Sequence, residues 1–178
     1  MDTIHTGFED LGLALYSEFL SPDEERGLIS KINNTPAHKI HDAKHRTSIT
    51  RFGSSRPYSS YIQSKIIPDY LLTYAERLVT SGLASEFPDS VSINEYAKGH
   101  TIEPHIDSRA SGDVITVLSL ESPAIMRFTL AGHEPFTVDL PARSLVQIRD
   151  KIRLIWYHEI LPVPGHRYSI VFRRSTMH

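Results

Sequence analysis

The chain has 178 residues, 40% hydrophobic and 22% charged, with a formal net charge of -2. That length suits one domain with a proper core, and the near-neutral charge excludes a globally basic surface while leaving a local basic face open. There is no cysteine, which excludes disulfides, thiolate metal sites and cysteine nucleophiles.

No apolar run approaches the roughly eighteen residues of a membrane span. The start, Met1 to Asp10, lacks the basic-then-apolar plan of a signal peptide. The expectation is therefore one domain over residues 1–178, in the cytoplasm or nucleus, with no membrane partner.

Leu11 to Leu20 reads as a short strand, with Leu13, Leu15 and Phe19 among small and polar neighbours. Ser21-Pro22-Asp23-Glu24 reads as a helix start, since Ser21 can cap, Pro22 suits the first turn and acids favour it. This helix should reach about Asn33 with Leu28, Ile29 and Ile32 inward, and Pro36 limits it. Residues 38–60 carry Lys39, Lys44, Arg46, Arg51 and Arg56 against one acid, Asp42, with Phe52 and Tyr58 interleaved. A solvated loop and hairpin explains that composition, and so does a lip that faces nucleic acid, with cations for phosphates and rings for bases. Pro68 to Leu83 reads as a second helix with an apolar stripe at Leu71, Leu72, Ala75, Leu78 and Val79.

From Ser90 the period becomes two. Strands are expected at 91–96, 114–120, 125–130, 136–140, 144–149, 154–160 and 168–173, separated by turns such as Ala131-Gly132 and Pro162-Val-Pro-Gly165. This spacing argues an α+β fold: a jelly roll (double-stranded β-helix) core over 90–174, with the N-terminal helices covering one outer face.

Three features on these strands carry chemistry. His105-x-Asp107, read as a strand, projects an imidazole and a carboxylate to one face. His158 follows in Arg153-Leu-Ile-Trp156-Tyr-His158, where alternation puts Leu154, Trp156 and His158 on one face and Arg153, Ile155 and Tyr157 on the other. Arg167 and Arg173, six apart, share a face with Ser169 and Val171 between them. Two histidines and a carboxylate are the facial triad that holds non-haem Fe(II) with open positions. Singly, His158 fits a core histidine, Asp107 a turn cap and the arginines edge charges. Jointly they require a less ordinary explanation.

The order Asn94-x-Tyr96, His105-x-Asp107, Val117-x-Ser119-Leu120, His158, Arg167-x5-Arg173 resembles the AlkB-like branch of Fe(II)- and 2-oxoglutarate-dependent dioxygenases. Pro104-His105-Ile106-Asp107, Leu140-Pro-x-Arg143-Ser144-Leu145 and the Ser169-bearing arginine motif look closest to homologues that hydroxylate a modified wobble uridine in transfer RNA. The resemblance implies Fe(II) on His105, Asp107 and His158, with 2-oxoglutarate and O2 as co-substrates. Arg167 would pair with the distal carboxylate of 2-oxoglutarate, assisted by Asn94, Tyr96 and Ser169, and Arg173 would orient Asp107. It also implies that 38–60 forms a nucleotide-recognition lid, with Arg46, Arg51 and Tyr58 as contacts, over a nucleic-acid substrate. The product would be a hydroxylated or demethylated nucleobase, with RNA favoured over DNA. The same oxygenase chemistry on a protein side chain or small molecule, or an idle binding module, remains the alternative. The chain departs from the pattern at Glu159, where relatives usually have glycine, at Arg149-Asp150 in place of Gly-Glu, and in a short linker from His158 to Arg167.

Overall fold

The computed structural model describes residues 1–35, 40–42, 47–53 and 66–175. The first strands are Asp2–Ile4 (β1) and Leu13–Ser17 (β2), followed by helix α1 over Pro22–Asn34. Helix α1 starts where the sequence says it should. The Ser21 hydroxyl accepts from the Glu24 amide at 3.2 Å, and a Glu24 carboxylate oxygen accepts from the Ser21 amide at 2.7 Å, a complete capping box. The basic stretch contributes two strands, Ile40–Asp42 (β3) and Thr47–Gly53 (β4), paired antiparallel. Helix α2 covers Asp69–Thr80.

Eight strands follow: β5 (Ser90–Tyr96), β6 (Ile102–His105), β7 (Ile115–Glu121), β8 (Ala124–Thr129), β9 (Phe136–Leu140), β10 (Leu145–Ile148), β11 (Tyr157–Ile160) and β12 (Arg167–Arg173). They form two antiparallel sheets together with the earlier strands, in the orders β1-β2-β10-β7-β12-β5-β4-β3 and β6-β11-β8-β9. The expected strand at 154–160 is corrected. Residues Asp150–Leu154 form a one-turn helix, α3, and extended pairing begins only at Tyr157. Ile152 and Arg153 are both fully buried there, neighbours that a strand would send to opposite faces. The predicted alternation survives from Trp156 to His158, with Tyr157 outside.

Strand alternation sets the layers. On β12, Tyr168, Ile170 and Phe172 face Leu28 of α1 and Leu71, Ala75 and Leu78 of α2, so both helices cover the outer face of the large sheet. Between the sheets, Val117, Val146, Ile148 and Val171 pack with Met126, Phe128, Val138 and Leu140. Other inward positions of β5 and β12 are polar, among them Ser92, Asn94, Arg167 and Ser169. A sheet face that is apolar at one end and polar at the other leaves a cavity instead of a closed core, and the site lies there.

Candidate metal centre and co-substrate pocket

Strands β6 and β11 of the small sheet bring His105 and His158 directly opposite one another, with ring centroids 4.3 Å apart. Strand β6 ends at His105, so Asp107 belongs to the loop that follows rather than to the strand expected for it. The loop nonetheless turns its carboxylate back. Asp107 Oδ1 lies 4.0 Å from His105 Nε2, and Oδ2 lies 3.8 Å from His158 Nε2. One ligand atom from each residue falls within 4.8 Å of the others.

The electrostatics prepare these groups as ligands. His105 Nδ1 lies 2.8 Å from the Glu103 carbonyl; a carbonyl only accepts, so Nδ1 carries a hydrogen and Nε2 is the nitrogen available to a metal. Burial lowers the His158 pKa to about 4, aided by His105 and opposed by Asp107, and leaves the ring neutral at physiological pH. Burial alone would raise Asp107, but Arg173 and the two imidazoles outweigh it and hold the carboxyl below its ordinary range. Arg173 Nη2 is 3.6 Å from Asp107 Oδ1, and its Nη1 donates to Ser92 Oγ at 3.2 Å. Two imidazole nitrogens and one carboxylate oxygen, facing one cavity, fit Fe(II) with positions left open.

That cavity, about 250 Å³, also takes in Asn94, Tyr96, Arg167, Ser169 and Arg173. Arg167 is fully buried. Its Nη1 donates to the Ser122 carbonyl at 3.2 Å and Nη2 to Ser119 Oγ at 3.0 Å, while Nε has no partner. Among the described residues no carboxylate pairs with it, and burial depresses its pKa. Beside it, Ser169 Oγ accepts from Asn94 Nδ2 at 3.1 Å and contacts the Tyr96 hydroxyl at 3.3 Å. A buried, uncompensated guanidinium next to a cluster of hydroxyls fits a ligand that brings its own carboxylate.

Every residue expected at the iron and co-substrate positions lies on this one cavity. Of the three expected lid contacts, Arg51 sits on β4 and lines the same cavity, whereas Arg46 and Tyr58 lie outside the described residues. The departure at Glu159 is on the opposite face of β11 from His158, where it pairs with Arg127 at 2.7 Å. Two participants escaped the sequence reading. Ser119 stood in the motif without a role, and its small polar side chain at an inward strand position was the available signal. Arg153, assigned to a strand face, is instead buried in α3. Its Nη1 donates to the Asp107 carbonyl at 2.9 Å and its Nη2 to the Ser108 carbonyl at 2.6 Å.

Comparison with known proteins agrees with this arrangement. Residues 12–173 match the family model described as the 2OG-Fe(II) oxygenase superfamily. The mouse tRNA (carboxymethyluridine(34)-5-O)-methyltransferase ALKBH8 is 32% identical over 162 residues, which cover 85% of this chain and 24% of the mouse protein. The chain thus spans about a quarter of that relative's length. Among solved structures, OsALKBH1 superposes with a TM-score of 0.68 at 15% identity, covering 97% of this chain and all of that one. A Pseudomonas putida prolyl-4-hydroxylase superposes with a TM-score of 0.65 at 20% identity, over 95% of this chain and 96% of that one. At those identities the two structures bear on the fold alone, a jelly roll of this type. The family match rests on the sequence, and with it come Fe(II), 2-oxoglutarate and O2 as cofactor and co-substrates. The chain belongs to the 2OG-Fe(II) oxygenase superfamily, with AlkB-like proteins among its relatives.

Proposed function

We propose that this chain hydroxylates or oxidatively demethylates a modified nucleobase, in RNA in preference to DNA. In this reading His105, Asp107 and His158 hold Fe(II), and Arg167 receives the distal carboxylate of 2-oxoglutarate. The observation that carries the co-substrate assignment is the Arg167 guanidinium, fully buried beside the triad with its Nε unpartnered. A planar fork of donors meets a carboxylate through two parallel charge-assisted hydrogen bonds. Bound there, Fe(II) supplies oxygen activation coupled to decarboxylation of 2-oxoglutarate to succinate and carbon dioxide.

The chain's own residues have three tasks. Asn94, Tyr96 and Ser169 form a hydroxyl and amide wall that orients the co-substrate. Arg173 holds the Asp107 carboxylate ionised and turned toward the histidines. The apolar inward residues Ile115, Val117, Met126, Ile148 and Val171 keep the floor of the cavity dry, which strengthens each polar contact within it. Such a site admits only a base that is unstacked or already single-stranded.

Two observations support the nucleobase. A related protein is named for a modified uridine of tRNA, and Arg51, from the basic stretch over 38–60, lines the cavity. The test has two stages. Anaerobic addition of Fe(II) and 2-oxoglutarate should develop the visible charge-transfer band of the chelate, lost in Asp107→Ala and needing far more 2-oxoglutarate in Arg167→Ala. Mass spectrometry should then find oxidation of modified RNA oligonucleotides, less of DNA, and none of peptides. Turnover of peptides alone would overturn the substrate reading, and no band in the wild type would overturn the co-substrate reading too.

A further inference from the structure

Asp107 is the least anchored of the three proposed ligands. His105 and His158 sit on paired strands, whose ladder fixes their backbones. Asp107 lies beyond the end of β6, in a connection to β7 that contains only a short 3-10 turn at Arg109–Ser111. A metal ligand on a loop is as precise as whatever holds the loop.

Among the described residues, contacts at three points help to hold it. Arg173 meets the carboxylate. At the far end, Gly112 runs so close to β12 that an added Cβ would stand 2.0 Å from the Arg174 carbonyl, and its φ of 88° suits only glycine. In the middle stands Arg153, whose two terminal nitrogens grip the consecutive carbonyls of Asp107 and Ser108. Among the described residues its guanidinium forms no ion pair, and it is fully buried with Nε unpartnered. Enclosing a cation to satisfy two backbone oxygens is an expensive way to fix a loop, so the position of those two carbonyls must matter. Arg153 also sits five residues before His158, so it ties the backbone of one ligand to the segment that delivers another.

We propose that Arg153 is a positioning residue that presets the Asp107 backbone and thereby determines affinity for the metal before the ion arrives. The inference rests on the triad reading above and adds to it a residue that touches neither metal nor substrate. Losing such support for a ligand typically weakens metal binding by roughly 10- to 100-fold.

The test uses the whole chain and anaerobic Co(II) titration, read from the ligand-field absorption, on wild type, Arg153→Lys and Arg153→Gln. Circular dichroism first establishes that each variant is folded. The expected result is a Co(II) dissociation constant raised about 10-fold or more in Arg153→Gln, with partial rescue in Arg153→Lys, which keeps the charge and at least one donor. A purely structural arginine would lower the melting temperature and leave Co(II) affinity of the folded fraction unchanged, which would overturn the proposal. Should neither variant fold, hydrogen exchange on the metal-free wild type decides. Amides of residues 106–111 should already be protected, whereas fast exchange abolished by Co(II) would mean the metal itself orders the loop. If wild type fails to bind Co(II), the triad reading fails, an outcome distinct from equal binding by all three proteins.

Discussion

Arg167, the proposed co-substrate anchor, departs from what stability alone would select. A buried guanidinium without a counter-charge costs several kcal/mol of desolvation that its two neutral acceptors only partly offset, and the described residues supply no carboxylate. Replacing it with methionine should therefore raise the melting temperature of the protein without ligand, while 2-oxoglutarate no longer shifts that temperature. In wild type, 2-oxoglutarate at 100 times its dissociation constant should add about 2.7 kcal/mol of stability. A thermal-shift series with and without 2-oxoglutarate reads both effects, and a destabilised methionine variant would contradict this account.

His158 and Asp107 give the second residue-scale expectation. His158 has a folded pKa of about 4 against an ordinary value of 6.5, so below 6.5 the unfolded chain binds the proton more readily. Its contribution is complete above 6.5 and is lost as pH falls toward 4, on the order of 3 kcal/mol in all. Asp107, also depressed, is an acid whose contribution is likewise lost on the acid side. Metal-free protein should lose stability steadily from pH 6.5 down to 4, as urea unfolding at each pH would measure. His158→Gln should flatten that slope. An unchanged slope would mean the imidazole is already protonated when buried.

At the scale of the element, α1 and the small sheet behave differently. Helix α1 is specified locally: the Ser21 and Glu24 capping box, Pro22 in the first turn and the inward Leu28 all stand in one short run. Ser21→Ala should cost about 1 kcal/mol of stability and leave oxygenase turnover unchanged, since the helix lies on the face of the large sheet away from the cavity. Equilibrium unfolding and a turnover assay on the same sample check both halves. The strand expected at 154–160 starts late, at Tyr157, because short apolar runs look alike at either period. Arg153 and Leu154 read as strand, but burying Ile152 and meeting the Asp107 and Ser108 carbonyls required a helical turn. His105-x-Asp107 was legible as a pair, yet its geometry comes from a loop returning, not from strand alternation.

At the scale of the molecule, the basic stretch joins the large sheet as β3 and β4 and sends Arg51 into the cavity. Arg51 thus has a place at the cavity, while Arg46 lies outside the described residues. Arg46→Glu should reduce the salt dependence of oligonucleotide binding, by a log–log slope of roughly 0.7 if it meets one phosphate of a single strand. Arg51→Ala should instead lower substrate-coupled turnover while uncoupled consumption of 2-oxoglutarate persists. Binding isotherms across a KCl series and a succinate assay distinguish them, and equal effects of the two changes would remove the distinction. Among the described residues no helix is long and apolar enough to cross a membrane.

The family, and the candidate ligands that gather at one cavity, were legible in sequence because they depend on residue type and order. His105, His158, Arg167 and Arg173 stand in a fixed succession on strands whose period of two is visible in the chain, and Asp107 follows His105 by two residues in the loop after β6. The two helices and most strands from Ser90 onward were legible for a similar reason, since period and caps are local properties. Tertiary structure alone decided what lies between distant segments. It brought Ser119 under Arg167 across 48 residues, Arg153 onto the Asp107 backbone across 46, and turned Glu159 away from the iron side to meet Arg127. Those contacts depend on strand register and on a one-turn helix, and each is set by which apolar residues the neighbouring layers bury. No short window of sequence carries that information.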